Sequence, residues 1–256
     1  MSAIYKRVVV KVSGEALGRR VTYPTNGNPA YVHVSMGFSQ SAFEETALAL
    51  LAIKNEGVDV AVVVGGGNIA RGTELERLGM ERVVADYLGM LATIQNGLAL
   101  AAALGNQGVE SRVMSALAVN PVCEPFVRAR ALRHIEKGRV VVFVAGTGNP
   151  LCTTDSAAAL RAVEIGAEAV LAGKNGTRGV YDRDPNGPDG SQAEFLTELT
   201  YDEVIQRGLV VLDQGAIVTL RDHFIPTHVF NAGELDNYEK VVCGERVGSV
   251  IRTVAK

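Results

Sequence analysis

The chain has little that would tie it to nucleic acid, a membrane or a disulfide scaffold. Its net charge is −3 over 256 residues, and no Lys/Arg-rich run supplies the electrostatic footprint of a nucleic-acid binder. Three cysteines, Cys123, Cys152 and Cys243, lie far apart. They make neither a CxxC pair nor an even disulfide framework, so reduced thiols in a cytoplasmic protein are expected. The most apolar long stretch, Leu88 to Leu104, contains Gln95 and Asn96 and falls short of a spanning helix. It reads instead as a buried helix, partly covered by another subunit. The opening MSAIYKRVVVKVSG has a charged start but an apolar core too short for a signal peptide. No membrane partner, no nucleic-acid partner and no export are expected.

Several enzyme chemistries are missing too. His33, His134, His223 and His228 lack HExxH spacing and fall in different segments, so no zinc site is expected. There is no G-x-S-x-G nucleophile elbow. Neither the Walker pattern nor a correctly spaced G-x-G-x-x-G is present. The sequence also has no internal repeat, no low-complexity tract and no interdomain linker, and residues 1–256 read as one domain.

What remains is a soluble globular composition, 47% hydrophobic and 21% charged, with a strong alternation of strand and helix patterns. RVVVKV (7–12), VDVAVVV (58–64) and RVVVFVA (139–145) are continuous Val-rich runs, as expected for parallel strands covered on both faces. VESRVMSA (109–116), EAVLAG (168–173) and PTHVFN (226–231) read as further strands. Helices are expected over Ser39 to Glu56, Arg82 to Leu104, Pro125 to Lys137, Thr154 to Ile165, Tyr201 to Arg207 and Asp213 to His223. In the first of these, Ser41 and Glu44 match a capping box, and Gly57 closes the end. Residues 19–37 suggest a loop or hairpin extension, and 184–192 an exposed loop. The alternation predicts a doubly wound α/β fold.

Four segments carry chemistry. In KVSGEAL (11–17), Lys11 ends the first strand and Gly14 follows it; ligands of open parallel sheets bind outside the carboxyl ends of strands. In VVVGGGNIARG, the run of Gly65, Gly66 and Gly67 bares backbone N–H groups, and Arg71 follows closely. A helix starting after the glycines would add its positive end, making an anion site. AGTGNPLCTTDSAA (145–158) repeats this logic with Thr153, Thr154 and Asp155 at a helix start. GKNGTRGVYDRDP (173–185) puts Lys174, Asn175, Tyr181 and Asp184 in a loop after a strand. There Tyr181 suits stacking on a base or ribose and Asp184 suits hydroxyl or amine donors. Each segment also has a plain structural reading: a solvating lysine, a glycine turn, a capping threonine, an ordinary loop. Asp86, Asp155, Asp213 and Asp222 are surface or capping candidates, with Asp155 and Asp213 also placed to orient lysines or a hydrated Mg²⁺.

Together with GMERVVADYLGMLATIQN (79–96) and the late VFN (229–231), these segments resemble the bacterial uridylate kinases of the amino-acid-kinase superfamily along nearly the whole chain. That resemblance implies a three-layer αβα sandwich with a mostly parallel central sheet, and transfer of a phosphoryl group from MgATP to UMP. It further implies ATP contacts at Lys11, Val12, Ser13, Gly14, Gly67, Arg71, Asn175, Tyr181 and Asp184. UMP contacts would be Gly66, Asp86, Thr147, Gly148, Asn149, Pro150, Leu151, Cys152, Thr153 and Thr154. Lys11, Arg71, Asp155, Lys174 and Asp213 would be the catalytic set, with Mg²⁺ arriving on ATP. Residues up to about 150 would serve mainly UMP and oligomer contacts, and the remainder mainly ATP. The family implies a cytoplasmic homohexamer inhibited by UTP and often activated by GTP. One departure is Thr177-Arg178 where the family commonly reads Val-Asp, which sets a cation beside the expected donor site. Two other readings fit parts of this pattern: a sister phosphotransferase acting on a carboxylate or carbamate, and a non-catalytic nucleotide-binding regulator or storage protein.

Overall fold

The structure is a computed structural model and describes residues 2–24, 31–187 and 190–254. The first strand, β1 (Arg7–Val12), is followed by a single turn, α1 (Gly14–Leu17). β2 (Arg19–Pro24) and β3 (Tyr31–Met36) pair antiparallel. The 19–37 segment is thus a hairpin extension, whose residues 25–30 lie outside the described residues. Helix α2 (Gln40–Asn55) starts two residues earlier than the capping-box pattern implies. Ser39, not Ser41, is its N-cap, accepting from the Ala42 N–H at 3.4 Å, while Glu44 is taken by Gln40 one turn back. Gly57 closes the helix at φ +79, donating its N–H to Lys54 O.

Next come β4 (Asp59–Val64), the short α3 (Gly72–Arg77) and α4 (Arg82–Asn106). At 25 residues α4 is longer than the expected apolar stretch and does reach spanning length and composition. Half of that apolar window is buried within the fold, with Ala92, Leu100 and Leu104 on its inner face. β5 (Ser111–Ser115) and β6 (Glu124–Pro125) follow. Because Pro125 sits in β6, paired with Ser115, α5 begins only at Arg128 (Arg128–Glu136) rather than at the proline. The rest runs β7 (Val140–Val144), α6 (Thr154–Ile165), β8 (Ala169–Lys174) and the small pair β9 (Val180–Tyr181) and β10 (Phe195–Leu196). Then come β11 (Glu198–Thr200), α7 (Tyr201–Gln206), α8 (Gln214–Asp222), β12 (Thr227–Asn231), α9 (Asp236–Val242) and β13 (Ser249–Arg252).

Nine strands form one sheet in the order β11-β13-β12-β8-β1-β4-β7-β5-β6. From β12 to β6 all pairings are parallel; β13 runs antiparallel to β12 and carries β11 with it. The valine runs explain the three layers, because successive side chains of a strand face opposite sides. Val8, Val10, Val12, Val60, Val62 and Val64 enter one core with Leu50, Leu100 and Val241 from α2, α4 and α9. Val9, Ala61 and Val63 enter the other with Ile135, Ala158 and Ile217 from α5, α6 and α8. The fold is therefore α/β, with helices on both faces of a mostly parallel sheet. This arrangement brings the carboxyl ends of β1, β4, β7 and β8 to one rim.

Candidate functional site

At that rim, Lys11 is the next-to-last residue of β1. Its side chain is only 12% exposed, and its Nζ lies 3.0 Å from Asp155 Oδ1 in the first turn of α6. That oxygen is buried and makes no well-directed hydrogen bond, so the ammonium is its close neighbour without saturating it. Lys174 ends β8 beside them and donates to Val211 O at 2.7 Å. Burial pulls the Lys174 pKa below the ordinary lysine range, repulsion from Lys11 adds to that, and Asp155 pushes back. The three residues form a plus-minus-plus cluster with unspent acceptor and donor capacity.

The glycine loop stands against this cluster because nothing larger fits. A Cβ on Gly14 would lie 2.3 Å from Gly67 N and 2.8 Å from the Gly66 carbonyl carbon, and one on Gly66 would lie 2.7 Å from Gly89 O. The turn after β1, the turn after β4 and α4 therefore touch backbone to backbone. Contrary to expectation, the helix after the glycines is short and starts only at Gly72, after a turn closed by Ile69 and Ala70 N–H groups on Gly66 O. Bare backbone N–H groups, more than a helix dipole, are what this loop offers an anion. Arg71 lies over Gly67, within 3.2 Å of where its Cβ would be. It is ion-paired with Glu15 and, at 3.7 Å, with Glu74.

Two cavities open here. One, of about 280 Å³, is lined by Gly66, Gly67, Arg71, Asp86, Asn149 and Thr154, among others that include Cys152 and Thr153. Asp86 is poised in it: one oxygen accepts Arg82 Nε at 2.9 Å, the other the Leu151 N–H at 2.8 Å. The other cavity, of about 330 Å³, is lined by Val12, Glu15, Gly173, Asn175 and Tyr238 among others. Lys11 and Ser13 line both.

Not every expected residue reaches these cavities. Thr147, Gly148, Pro150 and Leu151 form the outer turn of the 145–153 loop and line neither. That turn is strained, with Ala145 at φ +61 and Leu151 at φ +64. Tyr181 packs on Phe195 with ring centroids 5.4 Å apart, and Asp184 accepts the Asn186 N–H in a local turn. Residues 188 and 189 of the 184–192 loop lie outside the described residues. Arg178 also turns to Phe195, 4.5 Å from its ring centre, and lines neither crevice cavity.

Asp213 acts on the protein itself. It caps α8 through the Ala216 N–H at 2.8 Å and accepts from Ser156 Oγ, the Ser156 N–H and Thr153 Oγ1. Burial raises its pKa, but these hydrogen bonds together outweigh that and hold it below the usual carboxylate range. Thr153 in turn caps α6 through the Asp155 and Ser156 N–H groups. Asp213 thereby fixes the helix start that carries Asp155.

Sequence reasoning missed Glu15, Arg82 and Ser156. Arg82 was legible as an i,i+4 partner of Asp86; the Glu15 to Arg71 pair spans too much chain to show a local signal. Among the described residues no group of three His, Cys, Asp or Glu side chains could hold a metal. Asp155, with its unsaturated buried oxygen, suits Mg²⁺ as part of MgATP, since that ion keeps its waters and needs few carboxylates.

Known proteins share this sequence pattern and this fold. The model of the amino acid kinase family matches residues 6–231. A uridylate kinase of Pediococcus pentosaceus is 44% identical over 250 residues, which cover 97% of each chain. The crystal structure of UMP kinase from Bacillus anthracis superposes with a TM-score of 0.87 at 37% identity, covering 98% of this chain and 97% of that one. The structure of UMP kinase from Ureaplasma parvum gives a TM-score of 0.82 at 32% identity, covering 97% and 99%.

Proposed function

Since the chain belongs to the amino acid kinase family, we propose that it is a UMP kinase, transferring the γ-phosphoryl group of ATP to UMP to give UDP and ADP. The observation that carries the reading is the pair of cavities meeting at Lys11 and Ser13 over a glycine loop. Two polyanions brought together in line need a shared cation and close backbone at their junction.

The chemistry asks little covalent help of the protein. The attacking UMP phosphate oxygen is already ionised at neutral pH and the transition state is loose, so no general base is required. Lys11 and Lys174 neutralise the transferring group, with Asp155 keeping them oriented; Arg71 exchanges Glu15 for phosphate. Mg²⁺ bound to ATP would supply further charge neutralisation, with Asp155 as the carboxylate that would meet it. On the acceptor side we assign Gly66, Asp86 at the ribose hydroxyls, and the loop Thr147 to Thr154 around the uracil and phosphate. On the donor side we assign Lys11, Val12, Ser13, Gly14, Gly67, Arg71 and Asn175, with Tyr181 and Asp184 as an outer rim at the adenosine end. The donor contacts so assigned come from both parts of the chain, Lys11 to Gly14, Gly67 and Arg71 before residue 150 and Asn175, Tyr181 and Asp184 after it, so a division into a UMP half and an ATP half at about residue 150 does not follow. Arg178, stacked on Phe195, is kept out of the donor contacts despite its charge.

An acceptor screen with MgATP tests the substrate. UMP is expected to dominate over CMP, acetylglutamate and aspartate. Preferred phosphorylation of a carboxylate would replace this reading with a sister kinase, and no turnover with any acceptor would replace it with a nucleotide-binding regulator.

The quaternary part of the proposal is a cytoplasmic homohexamer. It is supported by the outer face of α4, where Val84, Tyr87, Leu88, Leu91 and Leu98 are exposed. Such an apolar stripe, interrupted by Gln95 alone, marks an association surface. Leu91→Glu is expected to lower the mass measured by light scattering; an unchanged hexamer would take α4 out of the interface.

A further inference from the structure

The inner face of α4 is as distinctive as its outer one, and the catalytic assignments do not use it. Thr93 is 6% exposed, two turns along the helix from Asp86. Its hydroxyl donates to Met90 O at 2.7 Å and so presents its lone pairs to the Ala145 N–H, which it accepts at 2.6 Å. Ala145 is the left-handed residue from which the strained 145–153 loop departs. Within the next turn of α4, Asn96 is fully buried and meets the buried Asn68 in a reciprocal amide pair. Asn96 Nδ2 donates to Asn68 Oδ1 at 2.7 Å, and Asn68 Nδ2 to Asn96 Oδ1 at 3.1 Å. The remaining N–H of Asn96 reaches Gly65 O at 2.8 Å, and that of Asn68 reaches Gly37 O at 2.7 Å.

Buried polar groups held this completely fix one geometry and are costly to break. Here the geometry they fix belongs to the two anion-binding loops. We infer that Thr93 and Asn96 are positioning residues for phosphoryl transfer: α4 holds the acceptor loop through Thr93 and the glycine loop through Asn96. This rests on the proposed UMP kinase reading. The two contacts differ in reach. Ala145 begins a loop assigned to the acceptor alone, whereas Gly65 begins the glycines that face both nucleotides.

The test measures kcat, the KM values for UMP and MgATP, and the thermal midpoint for the full chain carrying Thr93→Val, Thr93→Ser or Asn96→Ala, beside the parent. Thr93→Val leaves a buried N–H without its partner, and its KM for UMP is expected to rise about tenfold with that for MgATP unchanged. Thr93→Ser, which keeps the hydroxyl, is expected to restore the parent KM for UMP. Asn96→Ala is expected to raise both KM values. A merely structural role would lower the midpoint without selecting UMP. A folded Thr93→Val with an unchanged UMP KM, or with both KM values shifted equally, overturns the inference. If Thr93→Val does not fold, an Asn96→Ala variant with parent KM values overturns it. The parent separates the two claims: no UDP from the parent removes the function and the inference together, while a UMP-active parent with an indifferent Thr93→Val removes the inference alone.

Discussion

Replacing Lys11 by alanine is expected to lower kcat by at least about a hundredfold, the scale for losing one preorganised electrostatic contact at developing charge. Three features set that expectation. Lys11 lines both cavities, and among the described residues no other lysine or arginine does. It is nearly buried, so water screens it little. Its removal also takes from the buried Asp155 Oδ1 its ion-pair partner, leaving Lys174 alone to offset that charge. Steady-state kinetics decide the matter: near-parent turnover would remove Lys11 from the mechanism.

Asp155→Asn is expected to have an effect of comparable size, by a different route. Breaking a buried ion pair by neutralising one partner leaves the other uncompensated. Here two ammonium groups, Lys11 and Lys174, would face each other without their counter-charge. Turnover is expected to fall about a hundredfold, the scale of such electrostatic losses, while UMP affinity stays nearly unchanged. A loss confined to UMP binding would contradict the organising role. The pH profile adds a second reading. Burial, then Lys11, already lower the Lys174 pKa, and Asp155 is the contribution that raises it. Without that charge the Lys174 pKa falls further, so the ammonium is lost earlier as pH rises. The alkaline limb of kcat is therefore expected to move to lower pH in the variant; movement to higher pH would mean that Asp155 does not support Lys174.

The parts of this molecule that were legible in the sequence are those governed by local pattern. Val8 to Val10 and Val60 to Val64 announce a strand covered on both sides because side-chain direction alternates, and both cores use them that way. The glycine loop was legible as backbone bared to an anion, but not as the place where the chain packs on itself, against Gly89 O and Gly14. Helix starts were read to within a few residues, and misread where chemistry competed. Ser39 outcompeted Ser41 as the cap, and Pro125 went into a strand pairing. The short α3 and α9 lack the capping box with which Thr200 and Glu203 open the equally short α7. The site's wiring was the least legible. Asp213 reaches Ser156 across 57 positions and Asn96 reaches Gly65 across 31; the fold alone creates those contacts. The departure at Arg178 illustrates the same limit. Its charge is plain in the sequence, but its direction, toward Phe195, is set by the β9 and β10 pair.

The glycine loop as the meeting place of two nucleotides is the claim on which the rest depends. It is tested most directly by following ADP and UDP together when the chain is given MgATP with UMP as sole acceptor. The account predicts equal amounts of both products, and no ADP when UMP is withheld. ADP formed at the same rate without UMP, or with no UDP beside it, would contradict it.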